Sequence, residues 1–146
     1  MKPILIAALL LIGTVTKSFA HEGRSVEPVV LKSFQTTFAN AKEVDWSTAE
    51  DLYKAVFFLN GQYITAYYHA DGTMQALIRH ISASALPVIL QTALKNDHKD
   101  KWVSDVLEVT SDGGVQYYTT LENADAKVIL KSSSTVWNTY QKVRKD

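Results

Sequence analysis

An internal repeat constrains the fold of this chain more than any single motif does. Residues 28–79 and 87–142 share one pattern, a helical segment followed by a run of β-rich segments, and Pro28 aligns with Pro87 at the start of each copy. A repeat of this length sets the architecture before individual motifs are weighed. We therefore expect an α+β protein of two tandem repeats, each made of one helix plus about four antiparallel strands.

Two helices are predicted from apolar residues at three- and four-residue spacing. The first begins at Pro28, because proline in the first turn loses no hydrogen bond, and its apolar stripe runs from Val30 to Ala41. The second is predicted over Ala85–Lys95.

The strands are predicted from β-rich runs bounded by turn signals. Asn60-Gly61 is the strongest short-range hairpin signal, because both positions favour positive φ, and Asp71-Gly72 predicts a second tight turn. The predicted strands, after a short extended segment at Val44–Trp46, are Asp51–Leu59, Gln62–His69, Thr73–His80, Trp102–Val109, Val115–Leu121, Ala126–Lys131 and Val136–Val143.

The N-terminus has the pattern of a secretory signal peptide. Lys2 precedes a short apolar run. The small residues Ser18 and Ala20 stand at positions −3 and −1 of the expected cleavage site. We expect residues 1–20 to be the signal peptide, with cleavage after Ala20, and the apolar run is too short to span a bilayer. The expected location is therefore periplasmic or secreted.

The rest of the chain is predicted to form one domain. Residues 21–26 are expected to be a flexible leader, and residues 27–146 a single domain with repeats at about 27–81 and 82–146. No composition shift or linker divides this region.

Charge and cysteine content exclude several functions. The chain carries 15 basic and 15 acidic residues, so nothing in its net charge favours nucleic acid, which requires clustered Lys and Arg, or an anionic membrane surface. It contains no cysteine, which excludes disulfides, thiolate metal sites and a cysteine nucleophile. We expect no membrane insertion.

A family resemblance follows from one ordered series of motifs. The series is Trp46…Tyr53-x-Ala55-x-Phe57…Asn60-Gly61…Ala66-x-Tyr68-x-x-Asp71-Gly72, followed by Leu86-Pro87. It resembles the PepSY-like, β-lactamase-inhibitor-like (BLIP-like) family of exported bacterial proteins over nearly all of the chain after the signal peptide. The resemblance implies that the two repeats join in one curved sheet with helices on one face, and it implies no catalytic residues.

No catalytic or metal-binding pattern in the sequence predicts a site. No serine lies in a Gly-x-Ser-x-Gly elbow, and His69, His80 and His98 lack metal-ligand spacing. His21 would become the new N-terminus, where the amine and imidazole can chelate one metal ion, but we predict no physiological metal and no cofactor. The chain is predicted not to be an enzyme.

Strand alternation places a set of apolar side chains on the sheet face away from the helices. Such an exposed face normally carries polar residues, and contiguous apolar area marks a contact surface. The predicted binding residues are Phe58, Tyr63, Tyr67, Leu77, Tyr118 and Trp137. The alternative that these side chains pack inside the protein stays open, because a one-residue slip in the strand register exchanges the two faces.

The predicted function is that of a non-catalytic exported binding module. Its partner would be a protein or peptide, and the sharpest form of the hypothesis is an inhibitor or modulator of an envelope or secreted hydrolase. Two alternatives stay open: an envelope carrier of a small apolar ligand, and a structural homo-oligomer that buries the aromatic face against itself.

Overall fold

The computed structural model describes residues 25–145. The predicted signal peptide, its cleavage site after Ala20, His21 and most of the predicted leader lie outside the described residues. Within residues 25–145, no helix is both long enough and apolar enough to cross a bilayer.

The described chain is built mainly of strands. The elements in chain order are α1 (Pro28–Thr37), β1 (Lys42–Ala49), β2 (Leu52–Leu59), β3 (Gln62–Tyr68), β4 (Met74–His80), a 3₁₀ turn (Ala83–Ala85), α2 (Val88–Asp97), β5 (Trp102–Ser111), β6 (Gly114–Glu122), β7 (Ala126–Ser133) and β8 (Val136–Arg144).

The predicted fold class is wrong. The eight strands form one antiparallel sheet in the order β1 to β8, each strand lying beside its neighbours in sequence, and the two α-helices are only ten residues long each. The described chain is therefore mostly β, rather than an α+β protein of two tandem helix-plus-strand repeats with helices on one face. Hydrogen-bonded pairing, which a repeat in the sequence does not reveal, decides the architecture.

The bounds of both helices differ from the predicted ones. The apolar stripe of α1 continues to Ala41, but the helix ends at Thr37, and Phe38 leaves helical geometry at φ −124°. The start of α2 is delayed to Val88, because the residue before a proline avoids helical ψ and Leu86 has ψ 151°.

The chain divides into two compact units, residues up to Ala76 and residues from Leu77 onward. In the first unit, Phe34 of α1 is the centre of the core. Its ring packs edge-on against Phe57 at 5.0 Å, Trp46 at 5.2 Å and Tyr68 at 6.4 Å between centroids. Such tilted pairs contribute beyond the area they bury, so one side chain fixes α1 on β1, β2 and β3.

The turn between β3 and β4 also touches α1. The Gly72 amide donates to the His69 carbonyl, and the Thr73 amide donates to the Asp71 carboxylate at 2.8 Å. This bond holds the pKa of Asp71 below its usual range. Gly72 has φ +86°, and a Cβ there would lie 3.1 Å from the carbonyl oxygen of Val29. The turn therefore requires glycine for two independent reasons.

The second unit has its own apolar core. Leu86 and Leu94 pack with Val106, Leu121, Val128 and Leu130, and all six are buried. Ile81, Tyr117 and Trp137 cover this cluster from its margin. Trp137 is fixed there because its indole N–H donates to the Leu90 carbonyl of α2 at 3.0 Å.

Candidate functional site

The β2–β3 hairpin presents an exposed aromatic side chain close to its tip. Asn60 and Gly61 both have positive φ, 51° and 84°, the signature of a type I′ turn. The turn sets the register so that Phe58 lies directly opposite Tyr63. Their rings meet edge-on at 5.2 Å, and Tyr63 remains 55% exposed.

A carboxylate on the neighbouring strand holds the other end of the Tyr63 side chain. The phenol donates a hydrogen bond to Glu43 of β1. Glu43 has φ 51° and lies where the β1–β2 register shifts between Lys42 and Asp45, and such an irregularity re-aims a side chain. The hydrogen bond, with the carboxylate charge as a second cause, raises the pKa of Tyr63.

We call Glu43, Phe58 and Tyr63 the hairpin cluster. It combines an exposed ring with a fixed orientation, since Tyr63 is held by a ring contact and a hydrogen bond. Strand alternation predicted Phe58 and Tyr63 as binding residues but gave no signal for Glu43. The role of Glu43 depends on a β1 irregularity for which the sequence gives no turn signal.

Tyr67 shares the strand and the face of Tyr63 but lies in a different environment. It sits opposite Lys54 in the β2–β3 register and is only 3% exposed. Burial raises the pKa of its phenol. The structure thus brings Phe58 and Tyr63 together at the surface and buries Tyr67, whose ring offers little area to a partner.

In the second unit, the predicted binding residues are spread over both faces of the sheet. Tyr118 lies opposite Lys131, and Trp137 lies opposite the next residue, Ser132. Consecutive residues point to opposite faces, so Tyr118 and Trp137 are not brought together. Trp137 instead packs against α2, as described above.

Tyr118 and Leu77 are also poorly placed for contact with a partner. Tyr118 is 3% exposed and packs edge-on against Tyr140 at 5.7 Å, with the Lys131 ammonium 5.7 Å from its ring centroid. Leu77 is half-buried opposite Thr110. The binding role predicted for these residues stays a prediction.

The end of α2 carries a feature at which the sequence patterns predicted no site. A cavity of about 360 Å³ lies there, between α2, β5 and β6. Its lining consists of Leu94, Lys95, His98, Lys99, Lys101, Val103 and Leu121. The available signal was the recurrence of Lys and His at helical spacing beside buried leucine.

The described residues contain no group of three or more His, Asp or Glu side chains arranged to hold a metal ion. Two of the histidines in the described part of the chain have other partners. His69 shares a hydrogen bond with Gln75 at 2.6 Å, and His80 with Asp105 at 2.8 Å.

No protein-family model matches the chain, and no curated protein matches it. Solved structures do. A DUF2874 family protein from Bacteroides uniformis aligns with TM-score 0.73 and 15% identity, covering 82% of this chain and 90% of the other. A BLIP-like protein from Bacteroides fragilis aligns with TM-score 0.69 and 17% identity, covering 82% and 86%.

A third structure, a candidate periplasmic protein from Bacteroides eggerthii, aligns with TM-score 0.72 and 14% identity, covering 82% of this chain and 89% of the other. These likenesses show that the chain has the fold of the BLIP-like and DUF2874 proteins. The BLIP-like part of the expected resemblance is therefore confirmed for the fold, and no comparison supports the PepSY-like label.

Proposed function

We propose that this chain is a non-catalytic periplasmic or secreted protein that binds a protein partner through the hairpin cluster. The observation that carries the proposal is that Tyr63 is 55% exposed and yet held on two sides, by the Phe58 ring and by the Glu43 carboxylate. The fold shared with a BLIP-like protein and with a candidate periplasmic protein supports the binding role and the location.

The physical argument concerns the cost of binding. A free surface tyrosine loses rotamer freedom when a partner immobilises it, at about 0.5–1.5 kcal/mol for each such side chain. Tyr63 has already lost that freedom in the folded protein. A rigid aromatic ring with a polar tip is the type of residue that dominates interface energetics, so the hairpin cluster offers a preorganised anchor.

The finer form of the proposal is that the partner is an envelope or secreted hydrolase, which the chain inhibits or modulates. A hairpin tip that carries an aromatic anchor can project into a concave surface, and the substrate sites of enzymes are clefts or cavities. The likeness to a BLIP-like protein favours this partner class.

The test compares three forms of the purified protein as baits for envelope and culture-supernatant proteins. They are the wild type, Tyr63→Ala, and the matched control Trp102→Ala, which removes an aromatic side chain of nearly equal exposure, 54%. We expect a partner that the wild type and the control retain and Tyr63→Ala loses. The purified partner should then hydrolyse its substrate more slowly when the wild type is added.

A further variant keeps the aromatic ring of residue 63 but removes the hydrogen bond that holds it in place. Tyr63→Phe keeps the ring and removes the hydrogen bond to Glu43. We expect binding weakened by about two- to twelvefold, because the partner must then immobilise a side chain that the wild type already holds, at about 0.5–1.5 kcal/mol. Equal retention of every partner by wild type and Tyr63→Ala, with unchanged circular dichroism, would refute the proposal. Self-association on a light-scattering dilution series would favour the homo-oligomer instead.

A further inference from the structure

We propose that the cavity at the end of α2 is a second binding site, for a small anionic amphiphile with a carboxylate head and an unbranched alkyl chain. The site is independent of the hairpin cluster. All of its residues belong to the second unit, and the proposed function does not depend on it.

The floor of the cavity is apolar. Leu94 of α2 and Leu121 of β6 are both buried, at 7% and 1% exposure, and Val103 of β5 is 38% exposed. Val103 lies directly opposite Leu121 in the β5–β6 register, so the two side chains form one continuous apolar wall. The volume of about 360 Å³ lies near the lower end of small-molecule sites.

The rim of the cavity is cationic. Lys95, His98, Lys99 and Lys101 line it, and no acidic residue does. This is a local excess in a chain with equal numbers of basic and acidic residues. Asp100 is not part of the lining, and its pKa is lowered chiefly by its hydrogen bond to Lys101.

The three lysines are not equivalent. Lys101 is 16% exposed and is bonded to Asp100, so its stem forms part of the wall while its charge is largely satisfied. Lys95 and Lys99 are exposed. Lys95, in the last turn of α2, also offsets the negative end of the helix dipole. These two ammonium groups are therefore the ones available to a ligand carboxylate.

Charge and shape together select the ligand class. A neutral apolar molecule would leave the lysines unused, and a small inorganic anion would leave the leucine and valine wall unused. A carboxylate with an alkyl tail places its head among Lys95 and Lys99 and its chain along Val103 and Leu121. Lysine recognises such a head group as a point charge, which suits an open rim.

The direct test is isothermal titration calorimetry of the purified protein with octanoate, decanoate and two compounds of matched chain length, the uncharged 1-octanol and the cationic octylamine. We expect saturable binding of both carboxylates, tighter for decanoate. Each added methylene should raise the affinity up to about fourfold. Octanol should bind at least about tenfold more weakly than octanoate, and octylamine should not bind.

Three variants locate the site. Lys95→Gln/Lys99→Gln removes the exposed charges and should lower octanoate affinity by about tenfold or more. Val103→Thr keeps the shape of the wall but adds a hydroxyl, and it should flatten the dependence on chain length. Lys32→Gln, an exposed lysine on α1, is the matched control and should leave the affinity unchanged.

Several outcomes would overturn the proposal. They are equal binding of octanoate and octanol, an equal effect of Lys32→Gln and Lys95→Gln/Lys99→Gln, or the absence of saturable binding in a folded protein. Binding to anionic phospholipid vesicles without binding of free decanoate would also overturn it and would point to a membrane surface.

Discussion

The contact between the β3–β4 turn and α1 predicts that Gly72→Ala is far more damaging than Gly61→Ala. The two glycines have nearly the same backbone geometry, φ +86° and φ +84°. A Cβ on Gly61 would meet nothing within 4 Å, whereas a Cβ on Gly72 would lie 3.1 Å from both the Cγ2 atom and the carbonyl oxygen of Val29. The pair therefore separates backbone strain from steric contact.

The magnitude follows from two terms. A left-handed alanine costs about 1–2 kcal/mol, and the stiffer unfolded chain returns about 0.4–1 kcal/mol, so Gly61→Ala should lose about 1 kcal/mol. At Gly72 the same balance applies, and overpacking adds about 1–3 kcal/mol, because the Val29 carbonyl belongs to α1 and cannot rotate away. We expect a total loss of about 2–4 kcal/mol.

The assay is urea unfolding of wild type and both variants, with the slope of free energy against urea compared among them. An unchanged slope means that the midpoint shift reports stability. Adding Val29→Ala to Gly72→Ala removes Cγ2 but leaves the carbonyl, so it should restore only part of the loss. Equal destabilisation by Gly61→Ala and Gly72→Ala would refute the steric argument.

Two further predictions concern buried polar groups. Burial raises the pKa of Tyr68 to about 12, above the ordinary value for the unfolded chain. The unfolded chain therefore releases the phenol proton at lower pH than the folded protein does, so the stability that is present below about pH 10 is lost progressively between about pH 10 and 12. Among the described residues its hydroxyl has no hydrogen-bond partner, so Tyr68→Phe should leave stability at pH 7 unchanged or slightly raised. In urea titrations at higher pH, the variant should also lose less stability than the wild type. A loss above about 1 kcal/mol at pH 7 would contradict this prediction. Trp137→Phe removes the hydrogen bond to the Leu90 carbonyl and should lower the free energy of unfolding by about 1–3 kcal/mol. The exposed control Trp102→Phe should lower it by less than about 0.5 kcal/mol. Equal effects of the two variants in thermal unfolding would contradict a stabilising role for the Trp137 bond.

Local signals in the sequence predicted the strands and turns well. Asn60-Gly61 gave the hairpin, and β2, β3 and β8 begin and end within about two residues of their predicted bounds. These features succeed because turn chemistry and β-propensity act over a few residues. The fold class was wrong because the order of helices and strands does not give their share of the chain: two ten-residue α-helices stand beside eight strands that form one sheet.

The candidate site was predicted only in part for a related reason. Alternation along a strand assigns Tyr63 and Tyr67 to one face, but it does not say how deeply each is buried, and the structure exposes the first and buries the second. Trp137 was assigned to the helix-free face, although its indole bonds to α2. A register is set by pairing with the next strand, which single-strand patterns do not contain.

Strand pairing in chain order has a consequence for how the protein is made. Every strand of the sheet bonds to the strand before or after it in the sequence. Within β1–β4 and within β5–β8 the connections are turns of two to five residues, which close at little entropic cost, whereas the β4–β5 connection, residues 81–101, is longer and contains α2. Such local topology favours rapid folding. During synthesis from the N-terminus, each new strand emerges beside a partner that is already in place, and few unpaired edges wait for later segments. Aggregation through such edges should therefore be rare while the chain is incomplete.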